Sequence, residues 1–358
     1  MIVYPRALLI CILSFAAMPL ASASPLFDDE SNLQITIEAP MRAIIRGKLD
    51  REKHDAIVRY RDSSGQEVAL NAKLSTRGNA RLDVCAFPPL RLTLKKGETK
   101  GTIFEGQRRL KMVTQCKVGN AGEKWLLQEL GIYRAYNVVS DYSYRARQLD
   151  VTYQDSESAR WNRTQPAFFI ESTGEMADRL ELESIRPTEV EPNQFDQAEL
   201  ANNLLFQLLI ANTDFSAKKG PAGEGCCHNG RVLTVPGAQK DWIVVPYDFD
   251  QAGIINTDYA VADQRLGIRS VTRRKYRGFC WQNESLPAAV ELFRERQAAI
   301  IAALTPAEFS ASRQKRLRRF ADGFFEILDD PKELQEEIFD ECRGAASFPI
   351  RKTTTPGN

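Results

Sequence analysis

The stretch that decides the reading runs from Leu208 to Gly253: LLIANTDFSAKKGPAGEGCCHNGRVLTVPGAQKDWIVVPYDFDQAG. Leu200, Leu204, Leu205, Leu208 and Leu209 recur at helical spacing, so a helix over 194–211 delivers Asn212, Thr213 and Asp214 into a polar, glycine-rich loop. His228 and Asn229 then precede a short strand at Val232 and Leu233. The apolar run Ile243 to Tyr247 predicts a buried strand ending in Asp248, Phe249 and Asp250. Asp214, Asn229, Asp248 and Asp250 are thus oxygen donors placed at the ends of elements. An oxygen-only set suits magnesium or manganese rather than zinc. Magnesium takes only one or two carboxylates and completes its shell with phosphate and water. A remaining carboxylate can accept the proton of an attacking hydroxyl, as phosphoryl transfer requires. The plainer alternative is a turn at Asp248 to Asp250 and a helix cap at Asn212 to Asp214.

Upstream of this stretch the pattern is different. Gln34 to Glu38, Ala56 to Tyr60, Leu90 to Leu94 and Leu149 to Tyr153 alternate apolar with polar residues, the mark of half-buried strands. Asp62 to Gly65 reads as a turn. One helix, Glu123 to Asn137, interrupts them, with Trp125, Leu126, Glu129, Leu130 and Tyr133 at helical spacing. Downstream, Leu286 to Leu304 and Pro306 to Cys342 read as helical, with Thr305 capping the second block. These patterns predict a sheet-rich N-terminal lobe over 24–170, a helix-rich C-terminal lobe over 171–345 that carries the metal and nucleotide site, and a disordered tail over 346–358.

Residues 1–23 read as a secretory signal peptide: Arg6, an apolar run from Ala7 to Leu20, and a small-residue site at Ala21 to Ala23. The run is short for a membrane span, so the expectation is a secreted or periplasmic protein with no span after cleavage. Removing Cys11 leaves six cysteines, an even number that suggests disulfides in an exported chain. Cys85 with Cys116 is the most local pairing; Cys226, Cys227, Cys280 and Cys342 remain for the second half.

The 358 residues contain 43% hydrophobic and 27% charged residues, ordinary for a globular protein. Lys and Arg number 48 against 47 Asp and Glu. No overall basic field exists to hold nucleic acid, and no nucleic-acid partner is expected. Only two histidines, His54 and His228, are present, too few for a multi-histidine metal site. The basic cluster from Arg313 to Arg319 reads first as a solvated helix face with intrahelical pairs, and otherwise as a surface for an anionic ligand or lipid.

The long stretch resembles the CotH-type secreted and spore-coat protein kinases, and more distantly HipA-like and lipid-kinase-like folds. The matching motifs are Asn212-Thr213-Asp214, Asn229, and Pro246 to Asp250. Upstream, Ser75 to Asn79, Phe87 to Leu94 and Phe168 to Glu171 resemble the family's other short motifs, so the likeness covers residues 74–256. It implies an α+β, two-lobed protein-kinase-like fold. It also implies an ATP-using, magnesium- or manganese-dependent kinase acting on an unknown protein, lipid or small-molecule hydroxyl. Asp214 would be the catalytic base. Asn229 and Asp248 would hold the metal, with Asp250 a third candidate. Lys111 and Arg91 would meet the nucleotide phosphates, and Glu171 would pair with Lys111 or lie near the base. Asp214 and Asn229 stand further apart than in the family, and the insertion holds Lys218, Lys219, Cys226 and Cys227. Two other functions fit the same residues: an inactive kinase-like binding module of the envelope, and a metal-dependent phosphoesterase.

Overall fold

The computed structural model describes residues 25–344. The signal peptide and the tail predicted from sequence lie outside the described residues. The first part of the chain forms β1 (Leu33–Ala39), α1 (Met41–Arg46), β2 (His54–Arg61), β3 (Glu67–Thr76), α2 (Ala80–Val84), β4 (Leu90–Leu94), β5 (Arg109–Thr114), α3 (Asn120–Val139), β6 (Ala146–Asp155) and β7 (Asn162–Ile170). The second part forms α4 (Thr173–Arg179), β8 (Glu183–Ile185), α5 (Gln197–Leu209), β9 (Gly230–Thr234), β10 (Ile243–Pro246), α6 (Leu286–Leu304), α7 (Ala311–Asp329) and α8 (Pro331–Leu334).

The seven strands β1 to β7 close into a barrel in the order β1-β2-β3-β4-β5-β7-β6. Closure comes from β1 and β6, which pair in parallel from Leu33 with Leu149 to Ala39 with Asp155. The expected two-lobed protein-kinase-like fold is therefore incorrect: the sheet is a closed barrel, with the helices packed beside it. Alternation finds strands but does not say which edges join. Closing β1 onto β6 removes both sheet edges, which satisfies backbone groups that an open sheet leaves exposed.

The barrel interior is filled by Ile35, Ile37, Val58, Leu74, Leu92, Leu110, Met112, Val151, Tyr153 and Phe169, with Phe104 added from a loop. Each large apolar side chain buried this way contributes about 1.5–3 kcal/mol. The second core lies outside the barrel. Val113, Phe168 and Ile170 point outward from β5 and β7 and join Leu126, Leu130 and Tyr133 of α3, and Leu204, Leu205 and Leu208 of α5. Strand ends covered on both faces lose their alternation, which is why β7 closes on four successive buried residues. Helix α3 lies between two barrel strands in the chain, yet packs with the C-terminal helices. A small antiparallel sheet, ordered β10-β9-β8, completes this part.

The block expected to be helical from Pro306 to Cys342 is broken. Helix α7 begins only after Ser310 and ends at Asp329, before Pro331. Thr305 does not cap it; its hydroxyl donates back to the Ile301 carbonyl at 2.7 Å. Three disulfides join Cys85 to Cys116, Cys226 to Cys227 and Cys280 to Cys342. Among the described residues no helix is long and apolar enough to cross a membrane.

Candidate functional site

The end of α5 sets the first group. Ala211 takes a left-handed backbone, φ +50°. The Asn212 side chain is then fixed by donating to Gln207 Oε1 at 2.8 Å and accepting the Asp214 N–H at 3.0 Å. Asp214 gathers three side chains. His228 Nε2 lies 2.8 Å from Oδ1; Asn229 Nδ2 and Gln251 Nε2 donate to Oδ2 at 3.0 and 2.7 Å. Asn229 Nδ2 also reaches the Asp214 carbonyl at 2.7 Å. The insertion between Asp214 and Asn229 thus loops out and returns, and the two residues meet. The hydrogen bond that His228 donates to Asp214 raises the imidazole above its ordinary range, against the effect of burial.

Strands β9 and β10 bring the second group beside the first. The Asn229 carbonyl accepts the Tyr247 N–H at 3.1 Å, just before Asp248. Asn229 and Asp248 both adopt left-handed backbones, φ +50° and +62°. Such conformations cost energy for residues with a Cβ, least for Asn and Asp, and they concentrate at functional sites. The Asp248 N–H donates to the Tyr133 hydroxyl at 3.0 Å, which ties this turn to α3. Loss of surrounding water, then the charge of Asp250, raises the Asp248 carboxyl, with Arg81 and Arg77 opposing. Its side chain still keeps 47% of its surface exposed, so that loss of water is partial.

Asp250 is placed differently. Arg81 Nε donates to its Oδ2 at 2.8 Å, and Arg81 also binds both oxygens of Glu129 at 2.8 Å. Asp250 is therefore held by a cation, whereas Asp248 has only the longer 3.6 Å approach of the same guanidinium.

Facing Asp248 is a group of cations from four elements. Arg77 follows β3, Arg91 and Lys111 sit opposite each other on β4 and β5, and Arg231 lies on β9. Arg91 also pairs in register with Ser75. Arg91 and Lys111 project from the outer face of the barrel, since the inward positions of β4 and β5 are Leu90, Leu92, Leu110 and Met112. None of the four has an ion-pair partner among the described residues. The Lys111 ammonium lies 5.7 and 5.6 Å from the ring centres of Tyr144 and Tyr247, and the Arg231 guanidinium 4.5 Å from Tyr247. Burial, then the charges of Arg77 and Arg231, lowers Lys111 to about 7, with Asp248 pulling the other way.

Glu171 does not join this group. Both its oxygens bind Arg179 at 3.0 Å, and one also accepts the Arg145 N–H at 3.1 Å. Sequence reasoning also missed Arg81, Arg231, Gln251 and the pairing role of Glu129. One signal was present: Glu129 is a carboxylate at helical spacing among apolar residues, which calls for a buried cation.

The donors can be tested against a divalent cation. Asn229 gives its amide nitrogen to Asp214, which leaves Oδ1 as its ligating atom, and Asp248 offers a carboxylate without a close partner. Asp250 is occupied by Arg81. Among the described residues no group of three or more His, Cys, Asp or Glu is clustered as a metal site. The set therefore fits an ion held by one carboxylate and one amide oxygen, the sparse protein coordination that magnesium accepts when phosphate and water supply the rest. Compared with known proteins, the chain matches no family model, no curated protein and no solved structure.

Proposed function

We propose that this is an exported phosphotransferase that uses ATP and a divalent ion to phosphorylate a hydroxyl acceptor. The observation that carries this reading is the set of four cations without carboxylate partners, Arg77, Arg91, Lys111 and Arg231, gathered around Asp248 beside the Asp214–His228 pair. The ordered motifs resembling CotH-type proteins support the same reading, as do the disulfides for an oxidising compartment.

In this mechanism Lys111 and Arg91 bind phosphate oxygens from the barrel side, and Arg77 and Arg231 balance the remaining charge. Asp248 and Asn229 would hold the ion. Magnesium bound there would neutralise charge on the transferring phosphate. Asp214 accepts the proton of the attacking hydroxyl, and the His228 Nε2–H, donating to its Oδ1, holds the carboxylate in position. Catalysis is then mainly positioning and charge neutralisation.

Thermal unfolding with ATP, with and without magnesium, tests the binding half. A magnesium-dependent rise in Tm that Asp248→Ala removes is the expected result, because a ligand of the native state stabilises by mass action. No shift at millimolar ATP would refute the reading. Phosphate transfer that Asp214→Asn abolishes, with ATP binding retained, tests the chemistry.

One observation favours a second reading, a binding module without turnover. The Asp214 carboxylate already accepts three hydrogen bonds, so a substrate hydroxyl must displace one of them. Ligand binding that survives Asp214→Asn, with no transfer by the unmodified protein to any acceptor, would support it.

A further inference from the structure

The basic cluster on α7 lies apart from this site. Intrahelical pairing was the first expectation for it, and among the described residues α7 shows none. Lys315, Arg316, Arg318 and Arg319 are exposed, and none has an ion-pair partner among the described residues. The helix buries Leu317, Ala321, Phe324, Phe325 and Leu328. At 3.6 residues per turn Lys315 and Arg319 fall opposite the buried face, with Arg316 and Arg318 on its two flanks.

The fold adds to this face from a distant segment. The Arg274 guanidinium covers the Phe320 ring at 4.4 Å and donates to the Phe320 carbonyl. Its neighbour Arg273 is therefore brought to the flank of α7, exposed and also without an ion pair. Arg273 thus adds a fifth exposed cation, on the side of α7 that carries Arg316 and Phe320.

Local physics opposes this arrangement. Like charges three and four residues apart repel. The first turn of α7 has no acidic residue to offset them. Asp322 and Glu326 lie further along the helix and pair with none of the four.

We propose that this face is an electrostatic docking surface for an anionic lipid membrane. A cluster of four or more cations is the size that holds a protein to anionic lipid. The neighbouring ring, Phe320, is covered by Arg274, so it offers no base-stacking platform of the kind single strands need. The apolar side of α7 is held in the core, so the helix adsorbs without inserting.

The test is cosedimentation of the full chain with phosphatidylcholine vesicles and with vesicles containing phosphatidylglycerol. The chain is compared with the variant Lys315→Gln, Arg316→Gln, Arg318→Gln and Arg319→Gln, which carries the same N-terminus, so any contribution from the leader cancels. Circular dichroism confirms that the variant is folded. The expected result is binding to the anionic vesicles that weakens with added salt and falls by about fivefold for each cation removed. Equal binding by the two proteins, or no preference for anionic vesicles, overturns the proposal. So does an α7-dependent affinity for a DNA oligonucleotide or an acidic protein without lipid binding.

Discussion

Arg81 and Glu129 meet in the interior through two 2.8 Å hydrogen bonds, from one guanidinium nitrogen to both carboxylate oxygens. The same guanidinium holds Asp250 at 2.8 Å. One side chain from α2 thereby joins α3 to the turn that carries Asp248. Burial raises the Glu129 carboxyl to about 7, against the opposing charge of Arg81. Removing the cation leaves buried carboxylates without a partner.

Arg81→Met is therefore expected to cost about 3–5 kcal/mol. Adding Glu129→Gln should recover part of the loss, because an unpaired buried charge is then removed. Urea unfolding measures both. A single variant within about 1 kcal/mol of the unmodified protein would contradict the account, since that is the range of exposed ion pairs.

Binding of a phosphate ligand should take up a proton. Lys111 sits near 7 in the free protein, so at pH 8 it is largely neutral. A bound anion favours the ammonium and raises that value, which draws a proton from solution. Affinity should weaken as pH rises through 7. Calorimetry of pyrophosphate binding at pH 8, in two buffers of different ionisation enthalpy, reads the uptake directly. Lys111→Met should abolish it.

His228 should stabilise the fold more in acid than in alkali. Its folded pKa is raised by Asp214, so the native state binds the proton more tightly than the unfolded chain. That stabilisation is complete below the unfolded value of about 6.5 and disappears as pH rises through the folded value. Denaturant midpoints of His228→Gln and the unmodified protein should differ more at pH 5.5 than at pH 8.5. An equal gap at both would show that the imidazole is not paired as described.

The Cys280–Cys342 disulfide spans 62 residues and ties the loop before α6 to the end of the described chain. Chain entropy gives such a closure about 4 kcal/mol. Cys280→Ala with Cys342→Ala should lower the urea midpoint accordingly. The 31-residue closure by Cys85 and Cys116 should contribute slightly less.

Much of this was legible in the residues. The alternation from Leu90 to Leu94 and the helical spacing from Leu286 to Leu304 match the observed elements residue for residue. The meeting of Asp214 with Asn229 was suggested by motif order, although the insertion between them hid it. The pairing of Glu171 with Arg179 was not visible, because it depends on α4 turning back eight residues later. Arg231 was passed over because a strand arginine carries no signal until its neighbours are known.

The sequence by itself determined the main strands and helices, among them β1, β2, β4, β6, α3, α5 and α6, which carboxylates and amides stand at element ends, and which cysteines were available to pair. Those are local properties, set by side-chain periodicity and backbone preference. Only the tertiary structure decided that β1 closes on β6 and that α3 packs with the C-terminal helices. It alone gathered Arg77, Arg91, Lys111 and Arg231 around Asp248. The reason is physical: strand alternation tells each residue which face to take, but the partner across that face is selected by the free energy of the whole packed chain.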